Sequence, residues 1–203
     1  MKLPPPALVS SSRVATYVNT FFEDRVRNLF ALAEVLGKAF AAANLDYAVI
    51  GGLATYLYVE TNSPNACRLT RDIDIVVRRV DLPAIVRAVE PYGLEYRHVA
   101  GIDMLLQSGQ PARRAIHIVF SGEKVMDHYP EATPDVEPVR TTKLHGIRIA
   151  PVDSLIRMKL SSFRLQDQMH LKDLDEAGVI TPDIVASLSQ IHRQRLEQVR
   201  AVV

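Results

Sequence analysis

The sequence predicts an α+β fold, in which a mixed β-sheet has helices on one side and is followed by a helical tail. Two observations carry this prediction. Short β-rich runs alternate with helical runs from Tyr47 to Ala150, and the pattern from Pro151 onward is helical to the C-terminus. A length of 203 residues is enough for one large core, or for one core with a small appendage. We therefore predict a sheet domain over residues 1–150 and a C-terminal helical subdomain over residues 151–203.

The first predicted element is an amphipathic helix, because apolar residues recur every three or four positions from Phe22 to Phe40. A loose N-terminal arm precedes it, and it ends near Asn44. The runs that follow predict, in chain order, a strand over Tyr47–Ile50, a helix over Leu53–Val59, a strand over Asp72–Val77, a helix that Asp81 caps and that runs to Glu90, and strands over Leu94–His98, Ile102–Leu106, Ala115–Phe120 and Ile147–Ala150. Residues 121–146 are predicted as loop with one strand near 136–140, and the helical tail is predicted to break near Phe163 and Gly178.

Composition narrows the class of protein without choosing a function. Apolar residues are 48% and charged residues 23%, which excludes disordered, collagen-like and coiled-coil chains. A net charge of +1 gives no electrostatic reason for wrapping DNA or coating a membrane, although it leaves room for a local basic patch. The single cysteine, Cys67, cannot form an internal disulfide. Prolines at positions 4–6 interrupt the N-terminal apolar run, and no stretch approaches the ~18 apolar residues of a membrane helix, so we expect a cytoplasmic protein without a membrane partner.

Two motifs carry candidate chemistry. Gly51-Gly52 stands between a predicted strand and a predicted helix, where glycines let the backbone approach a ligand and free N–H groups favour an anion such as phosphate. A plain tight turn is the alternative for this motif. Asp72 and Asp74 are two residues apart on a predicted strand, so their carboxylates face the same side and suit a cation such as Mg²⁺. A solvated strand face, with neighbouring arginines as ion-pair partners, is the alternative for this pair.

Together the motifs resemble the nucleotidyltransferase fold of the polymerase-beta superfamily, whose signature is a Gly-Gly or Gly-Ser turn followed by an acid-x-acid strand. The Arg-x-Thr-x-Asp-x-Asp run that starts at Arg68 is most similar to the AbiEii-type toxin nucleotidyltransferases. The tail is also similar, because a helix with Lys159 precedes an Arg-x-x-Asp run that ends at Asp167. The resemblance covers roughly residues 45–180 and implies a nucleotidyltransferase-like sheet flanked by helices.

The resemblance also implies roles for the motif residues. Gly51 and Gly52 would hold the nucleoside triphosphate, and Thr70 and Arg68 would support it. Lys159 would reach the phosphates or the acceptor, and Asp167 would orient Lys159. Asp72 and Asp74 would bind Mg²⁺ or Mn²⁺. The implied reaction is attack of a hydroxyl or phosphate on the α-phosphorus, with pyrophosphate leaving. The acceptor would be an RNA end such as that of a tRNA, a protein side chain or a small molecule.

One position departs from the family's pattern. Active members have a third carboxylate on a neighbouring strand, and alternation between Ile116 and Ile118 places His117 there. Imidazole is a poorer Mg²⁺ ligand than carboxylate. His117 could act as a general base on the acceptor, the site could hold one metal and be slow or selective, or the site could be degenerate and only bind nucleotide. Asp103, on the adjacent predicted strand, is a weaker substitute for the third acid.

Two function classes therefore stay open: a metal-dependent nucleotidyltransferase, and a non-catalytic relative that binds nucleotide or RNA, for instance as a toxin–antitoxin component. His170 and Asp173 are expected to have structural roles. The basic residues of the last helix, His192 among them, are expected on a solvated face, with contact to RNA as the alternative. The helical tail could also be the surface of a homodimer.

Overall fold

The computed structural model describes residues 11–64, 68, 70, 72–107, 109, 115–135 and 140–201, with the backbone alone over 11–25. Three predictions lie outside these residues: the N-terminal arm, the role of Cys67 and the strand over 136–139. Arg140 is described and lies outside any strand.

Helices and strands alternate along the first part of the chain, and helices alone form the tail. The helices are α1 (Ser11–Ala42), α2 (Gly51–Asn62), α3 (Leu82–Val89), α4 (Val152–Ser162), α5 (Leu165–Glu176), α6 (Pro182–Ser187) and α7 (Gln190–Ala201). The strands are β1 (Ala48–Ile50), β2 (Ile73–Val77), β3 (Leu94–Val99), β4 (Ile102–Gln107), β5 (Ile116–Phe120), β6 (Thr142–Leu144) and β7 (Ile147–Ile149). Short 3₁₀ turns flank α3 on both sides, over Arg79–Asp81 and Glu90–Tyr92.

The described strands form one mixed sheet in the order β3-β4-β5-β2-β1-β7-β6. β2 pairs with β5 and β1 with β7 in parallel, and the other neighbours are antiparallel. β2 and β5 are therefore side by side near the middle of the sheet, with five residues of each in register. The α+β class and the mixed sheet flanked by helices, as predicted from the sequence, are confirmed.

The main core lies between one face of the sheet and the helices α1, α2 and α3. It contains alternate residues of β2 and β5, packed with Leu36 and Phe40 of α1 and Leu53 of α2. Because strand residues alternate between faces, the intervening residues of β2 and β5 project from the opposite face. This opposite face is the one that carries the polar residues discussed below.

The helical tail packs on both parts of the molecule. A second core joins residues of α4, α5 and α7 to Val59 of α2. Met158 of α4 also packs on a small apolar cluster on the opposite sheet face. The tail therefore covers part of the second sheet face, whereas the sequence predicted helices on one side only. In the described part of the chain, every helix is too short or too polar to cross a membrane.

Two details of the sheet domain differ from the prediction. Helix α2 begins at Gly51 itself, so the glycine pair forms the first helical residues rather than a preceding turn. Asp81 occupies the N-cap position of α3 as predicted, but its side chain makes no capping hydrogen bond and instead accepts one of 2.7 Å from Arg78 Nε.

Strand β6 was not predicted, because it has three residues and none of them is buried. Its turn explains why it forms. His145 and Gly146 both have positive φ, the conformation of two-residue hairpin turns whose twist matches that of paired strands. The turn thus pairs β6 with the buried strand β7.

Candidate active site

A polar row crosses the centre of the sheet on the face away from the main core. Asp74 of β2 is in register with Ile50 at the end of β1 and with His117 of β5. Residues in register on neighbouring strands share a face, so the two side chains meet. His117 therefore occupies the position that alternation predicted for it, directly opposite the second acid of the Asp-x-Asp motif.

His117 and Asp74 form a hydrogen-bonded pair. His117 Nδ1 lies 3.1 Å from Asp74 Oδ1, and about a third of each side chain is exposed. The hydrogen bond to Asp74 raises the pKa of His117; burial opposes this shift, and the charges of Asp74 and Asp72 add to it. Because a carboxylate accepts and does not donate, Nδ1 carries a proton in this pair.

Asp72 was predicted within the strand, but it lies one residue before the start of β2. It is partly buried and close enough to His117 for its charge to raise the pKa of that histidine. Both acids of the motif therefore act on the same imidazole.

The glycine pair lies against the acid strand. A Cβ on Gly51 would be 2.0 Å from Asp74 Oδ2, and Gly51 has φ +66°, where side chains are strained. A Cβ on Gly52 would be 2.3 Å from Thr70 Oγ1. The absence of side chains at both positions thus lets the start of α2 contact Asp74 and Thr70 directly.

Thr70 and Arg68 are held by protein partners. Thr70 is buried, and its hydroxyl donates to the Asp72 carbonyl oxygen at 3.3 Å. Arg68 Nε donates to the buried Asp173 carboxylate at 2.9 Å. Both residues therefore fix the segment that leads into Asp72, and a direct contact of either with phosphate stays a prediction.

Lys159 lies in a buried polar cluster beside the row. Its Nζ is 2.9 Å from His170 Nδ1 and 3.5 Å from Asp167 Oδ1, and the side chain is 4% exposed. Burial lowers the pKa of Lys159, while the charges of Asp167 and Asp74 oppose that shift. The predicted pairing of Lys159 with Asp167 is present as an ion-pair distance, and its role toward phosphates stays a prediction.

The carboxylate of Asp167 accepts hydrogen bonds from several donors. It accepts hydrogen bonds of 2.8 Å from Ser162 Oγ and 2.8 Å from Arg164 Nε. Burial alone would raise the pKa of Asp167, but the hydrogen bond from Arg164 and the charge of Lys159 outweigh it and lower the pKa. Asp167 therefore stays ionised and balances the buried ammonium.

We expect the cluster to make the protein sensitive to acid. Burial, and next the charge of Lys159, lower the pKa of His170 from 6.5 to about 4, with Asp167 opposing and Arg164 and Arg68 assisting. The unfolded chain therefore binds a proton that the folded chain does not, and stability falls as pH falls from 6.5 to 4. The loss is about 3 kcal/mol at most for this group.

His170→Asn should flatten this dependence, measured as the free energy of unfolding in urea at several pH values. His192, whose pKa is also lowered, acts in the same direction, and His117, whose pKa is raised, acts in the opposite one. Both are present in the two proteins, so the difference between the curves isolates His170. Parallel curves over this pH window would contradict the prediction.

A cavity of about 360 Å³ lies beside the polar row. Its wall includes Gly51, Asp74, His117, Lys159 and Asp167. The structure thus brings together five predicted site residues, whereas Gly52, Arg68, Thr70 and Asp72 are not among the residues of the wall. A nucleotide-sized ligand would meet both signs of charge in this cavity.

The donor set fits one hard divalent cation better than two. Asp72 and Asp74 offer the carboxylate oxygens that Mg²⁺ and Mn²⁺ take. His117 adds nitrogen in place of a third oxygen, and its Nδ1 is already engaged by Asp74. Among the described residues, no group of three His, Cys, Asp or Glu side chains is placed to hold a metal. Water and phosphate oxygens would have to complete the ligands of a cation on the two carboxylates.

Asp103 is the weaker candidate for the third acid. It is in register with Ile118, whose side chain belongs to the main core, so it projects from the face opposite to His117. Its carboxylate accepts hydrogen bonds from Tyr96 and from His98 Nδ1. Asp103 lines the same cavity, but its carboxylate is held by Tyr96 and His98 rather than beside His117.

The last helix is only partly a solvated basic face. His192 is fully buried, because it recurs with Leu196 and Val199 on the inner face of α7. Arg195 donates to the Ser161 carbonyl oxygen at 2.8 Å. Arg200 pairs with Asp175. The expectation of an exposed His192 is thus wrong, and two of the arginines expected to be solvated have partners within the chain.

The cavity is also lined by Arg164, Ser161 and Glu131. The sequence motif includes Arg164 as the first residue of the Arg-x-x-Asp run, without a role of its own, and it does not include Ser161 or Glu131. Ser161 and Glu131 meet a common partner, His192, from distant parts of the chain. No local pattern in the sequence signals that meeting.

Comparison with known proteins supports the fold. No protein-family model matches the chain, and no curated protein matches it. The antigenic nucleotidyltransferase-like protein from Paracoccidioides brasiliensis is similar in structure, with a TM-score of 0.55 and 16% identity over 86% of this chain and 87% of that one. The Megavirus polyadenylate synthase is similar with a TM-score of 0.51 and 11% identity, over 89% of this chain and 40% of that one. The chain therefore has the fold of these nucleotidyltransferase structures, as the sequence motifs predicted.

Proposed function

We propose that this protein is a nucleotidyltransferase that depends on Mg²⁺ or Mn²⁺. It would move a nucleoside monophosphate from a nucleoside triphosphate to a hydroxyl of an RNA end, a protein side chain or a small molecule. The observation that carries the proposal is the pairing of Asp74 with His117 beside the start of α2, in the wall of one cavity.

The start of α2 suits the triphosphate. Its first N–H groups lack a side-chain cap, and helix N-termini favour phosphate. Lys159 and Arg164 add positive charge to the same cavity. These fixed charges would stabilise the transferring phosphoryl group without reorganisation during the reaction.

The carboxylates of Asp72 and Asp74 would hold the divalent cation, which when bound supplies positive charge to the α-phosphate and the leaving pyrophosphate. Asp74 has two oxygens, so one can accept the Nδ1–H of His117 while the other faces the cation. The pair fixes the imidazole, and Nε2 of the neutral ring would take the proton of the acceptor hydroxyl. Holding the acceptor and the α-phosphorus together would supply much of the rate.

Transfer of α-phosphorus label from nucleoside triphosphates, with total tRNA and a cell lysate as acceptors, tests the proposal. We expect His117→Ala to lower the transfer rate by about 10²-fold, the usual contribution of a positioned base. His98→Ala is the matched control, because His98 also pairs with an aspartate on this sheet. Equal rates in wild type and His117→Ala would contradict the role of His117, and wild type without transfer would contradict the function.

A second candidate is a non-catalytic module that binds nucleotide or RNA, of the toxin–antitoxin kind that the resemblance suggests. The imidazole in place of a third carboxylate favours it. In that case calorimetry would detect nucleotide binding by a wild type that transfers no label, and His117→Asp would gain transfer. A His117→Asp variant that stays silent while wild type transfers label would exclude this candidate.

A further inference from the structure

A second polar cluster lies where α4 meets α7 and the loop after β5. Ser161 Oγ is 2.9 Å from His192 Nε2. The other ring nitrogen, Nδ1, is 3.3 Å from Glu131 Oε1, an ion-pair distance without the alignment of a hydrogen bond. Serine, histidine and carboxylate thus follow one another in the order found in serine nucleophiles with a general base.

The direction of the hydrogen bonds in the cluster also suits such a nucleophile. The carboxylate of Glu131 attracts an N–H group rather than a bare ring nitrogen, so its position 3.3 Å away favours the tautomer with hydrogen on Nδ1. Nε2 is then an acceptor, and the hydrogen bond runs from the Ser161 hydroxyl to the ring. Burial lowers the pKa of His192, and the charge of Glu131 opposes this shift. The lowered pKa favours the neutral ring, which can take a proton.

Ser161 lines the same cavity as the polar row. Ser161 and Glu131 line its wall together with Asp74 and His117. Lys159 and Arg164 stand on either side of Ser161 in the chain and line the wall as well. Both cations share the single carboxylate of Asp167 as ion-pair partner, so positive charge is in excess there. That excess would stabilise a phosphoryl group at the hydroxyl, which favours a phosphorus electrophile over an acyl group.

The neighbouring serine is a poorer candidate. Ser162 also lines the cavity, but its hydroxyl donates to the Asp167 carboxylate. That carboxylate is shared with Arg164 and Lys159, which lower its pKa and weaken it as a base. Ser161 instead meets a neutral imidazole.

We propose that Ser161 is an internal acceptor of the nucleotidyl group, with His192 as its general base and Glu131 as the positioning residue for His192. The proposal rests on the function proposed above. Ser161 Oγ forms a bond to the α-phosphorus as the bond from that phosphorus to the β-phosphate oxygen breaks. The electron pair of the broken bond leaves with pyrophosphate, and the serine proton passes to His192 Nε2. The product is a nucleotidyl phosphodiester on Ser161.

The experiment incubates the full chain with Mg²⁺ and nucleoside triphosphates labelled at the α-phosphorus, with and without total tRNA and lysate. Label that stays with the denatured, washed chain is counted and located by peptide mass spectrometry. We expect label on the peptide that contains Ser161, stable to acid as a phosphodiester is. Ser161→Ala should abolish it, and His192→Gln should slow it by about 10²-fold.

Ser154→Ala is the matched control, because Ser154 is a buried serine of the same helix that lines a separate small cavity. Should the buried His192 variant not fold, Glu131→Gln at a partly exposed side chain gives the second measurement, and slower labelling is again expected. Unchanged labelling in Glu131→Gln and His192→Gln would overturn the assignment of the base.

The outcomes separate the two proposals. Label on external acceptors with an unlabelled chain overturns the Ser161 proposal and leaves the proposed function standing. Acid-labile label would indicate a bond to lysine or histidine nitrogen and would also overturn it. A protein that releases no pyrophosphate under any condition overturns both.

Discussion

Asp74→Asn is expected to lower nucleotidyl transfer by roughly 10²–10³-fold, the cost of losing one preorganised charged group in a phosphoryl site. The change removes the charge that holds His117 and one of the two carboxylates proposed to hold the cation, but keeps the shape of the side chain. Because the Asp74–His117 pair is about a third exposed, the free energy of unfolding should change by less than about 1 kcal/mol. Initial rates of label transfer and urea unfolding measure the two effects.

Asp175→Asn is the matched control for this variant. Asp175 is also a partly exposed carboxylate in an ion pair, with Arg200, and it lies outside the cavity wall. We expect its transfer rate to equal that of wild type. A similar loss in both variants would mean that the effect of Asp74→Asn is general and that Asp74 has no special part in transfer.

Gly51→Ala is the second change with a large expected effect, and it acts on both stability and activity. The new Cβ would be 2.0 Å from Asp74 Oδ2 and 3.0 Å from Asp74 Cβ, so the carboxylate must move. The positive φ adds a cost of about 1–2 kcal/mol, and the overlap brings the total loss of stability to about 2–4 kcal/mol. Displacement of a reacting group by about 1 Å costs about 10²-fold in rate, so transfer should fall by that factor.

Gly93→Ala separates the cost of the positive φ from the cost of the overlap with Asp74. Gly93 has φ +73°, and nothing lies within 4 Å of a Cβ built there. It therefore carries the conformational cost alone, and its transfer rate should be unchanged. Equal loss of stability in the two variants, with activity kept in both, would contradict the close contact between Gly51 and Asp74.

The sheet and the row across it could be predicted because their signals are local. Alternation with a period of two places Asp74 and His117 on the faces where they are found. The parallel pairing of β2 with β5 and its register are seen only in the structure. By contrast, β6 depends on a turn with two positive φ angles, and its three residues carry no apolar pattern.

Much of the site beyond the row could not be predicted, because it depends on contacts between distant segments. Arg68 meets Asp173 across 105 positions, and this contact decides that Arg68 holds the chain rather than pointing freely at a ligand. His192 is spaced like a surface residue in a basic helix, yet packing of α7 on α4 buries it against Ser161. Only the tertiary arrangement of the tail produces such partners.

Transfer of a nucleoside monophosphate by the cavity beside Asp74 and His117 can be tested by a comparison of two labels. The protein is incubated with Mg²⁺ and nucleoside triphosphates labelled either at the α- or at the γ-phosphorus. We predict that α-label becomes attached to acceptor or chain, that γ-label is released as pyrophosphate in equal amount, and that Asp74→Asn lowers both by roughly 10²–10³-fold. Attachment of γ-label, or release of γ-label as inorganic phosphate with no α-label attached, would contradict nucleotidyl transfer by this cavity.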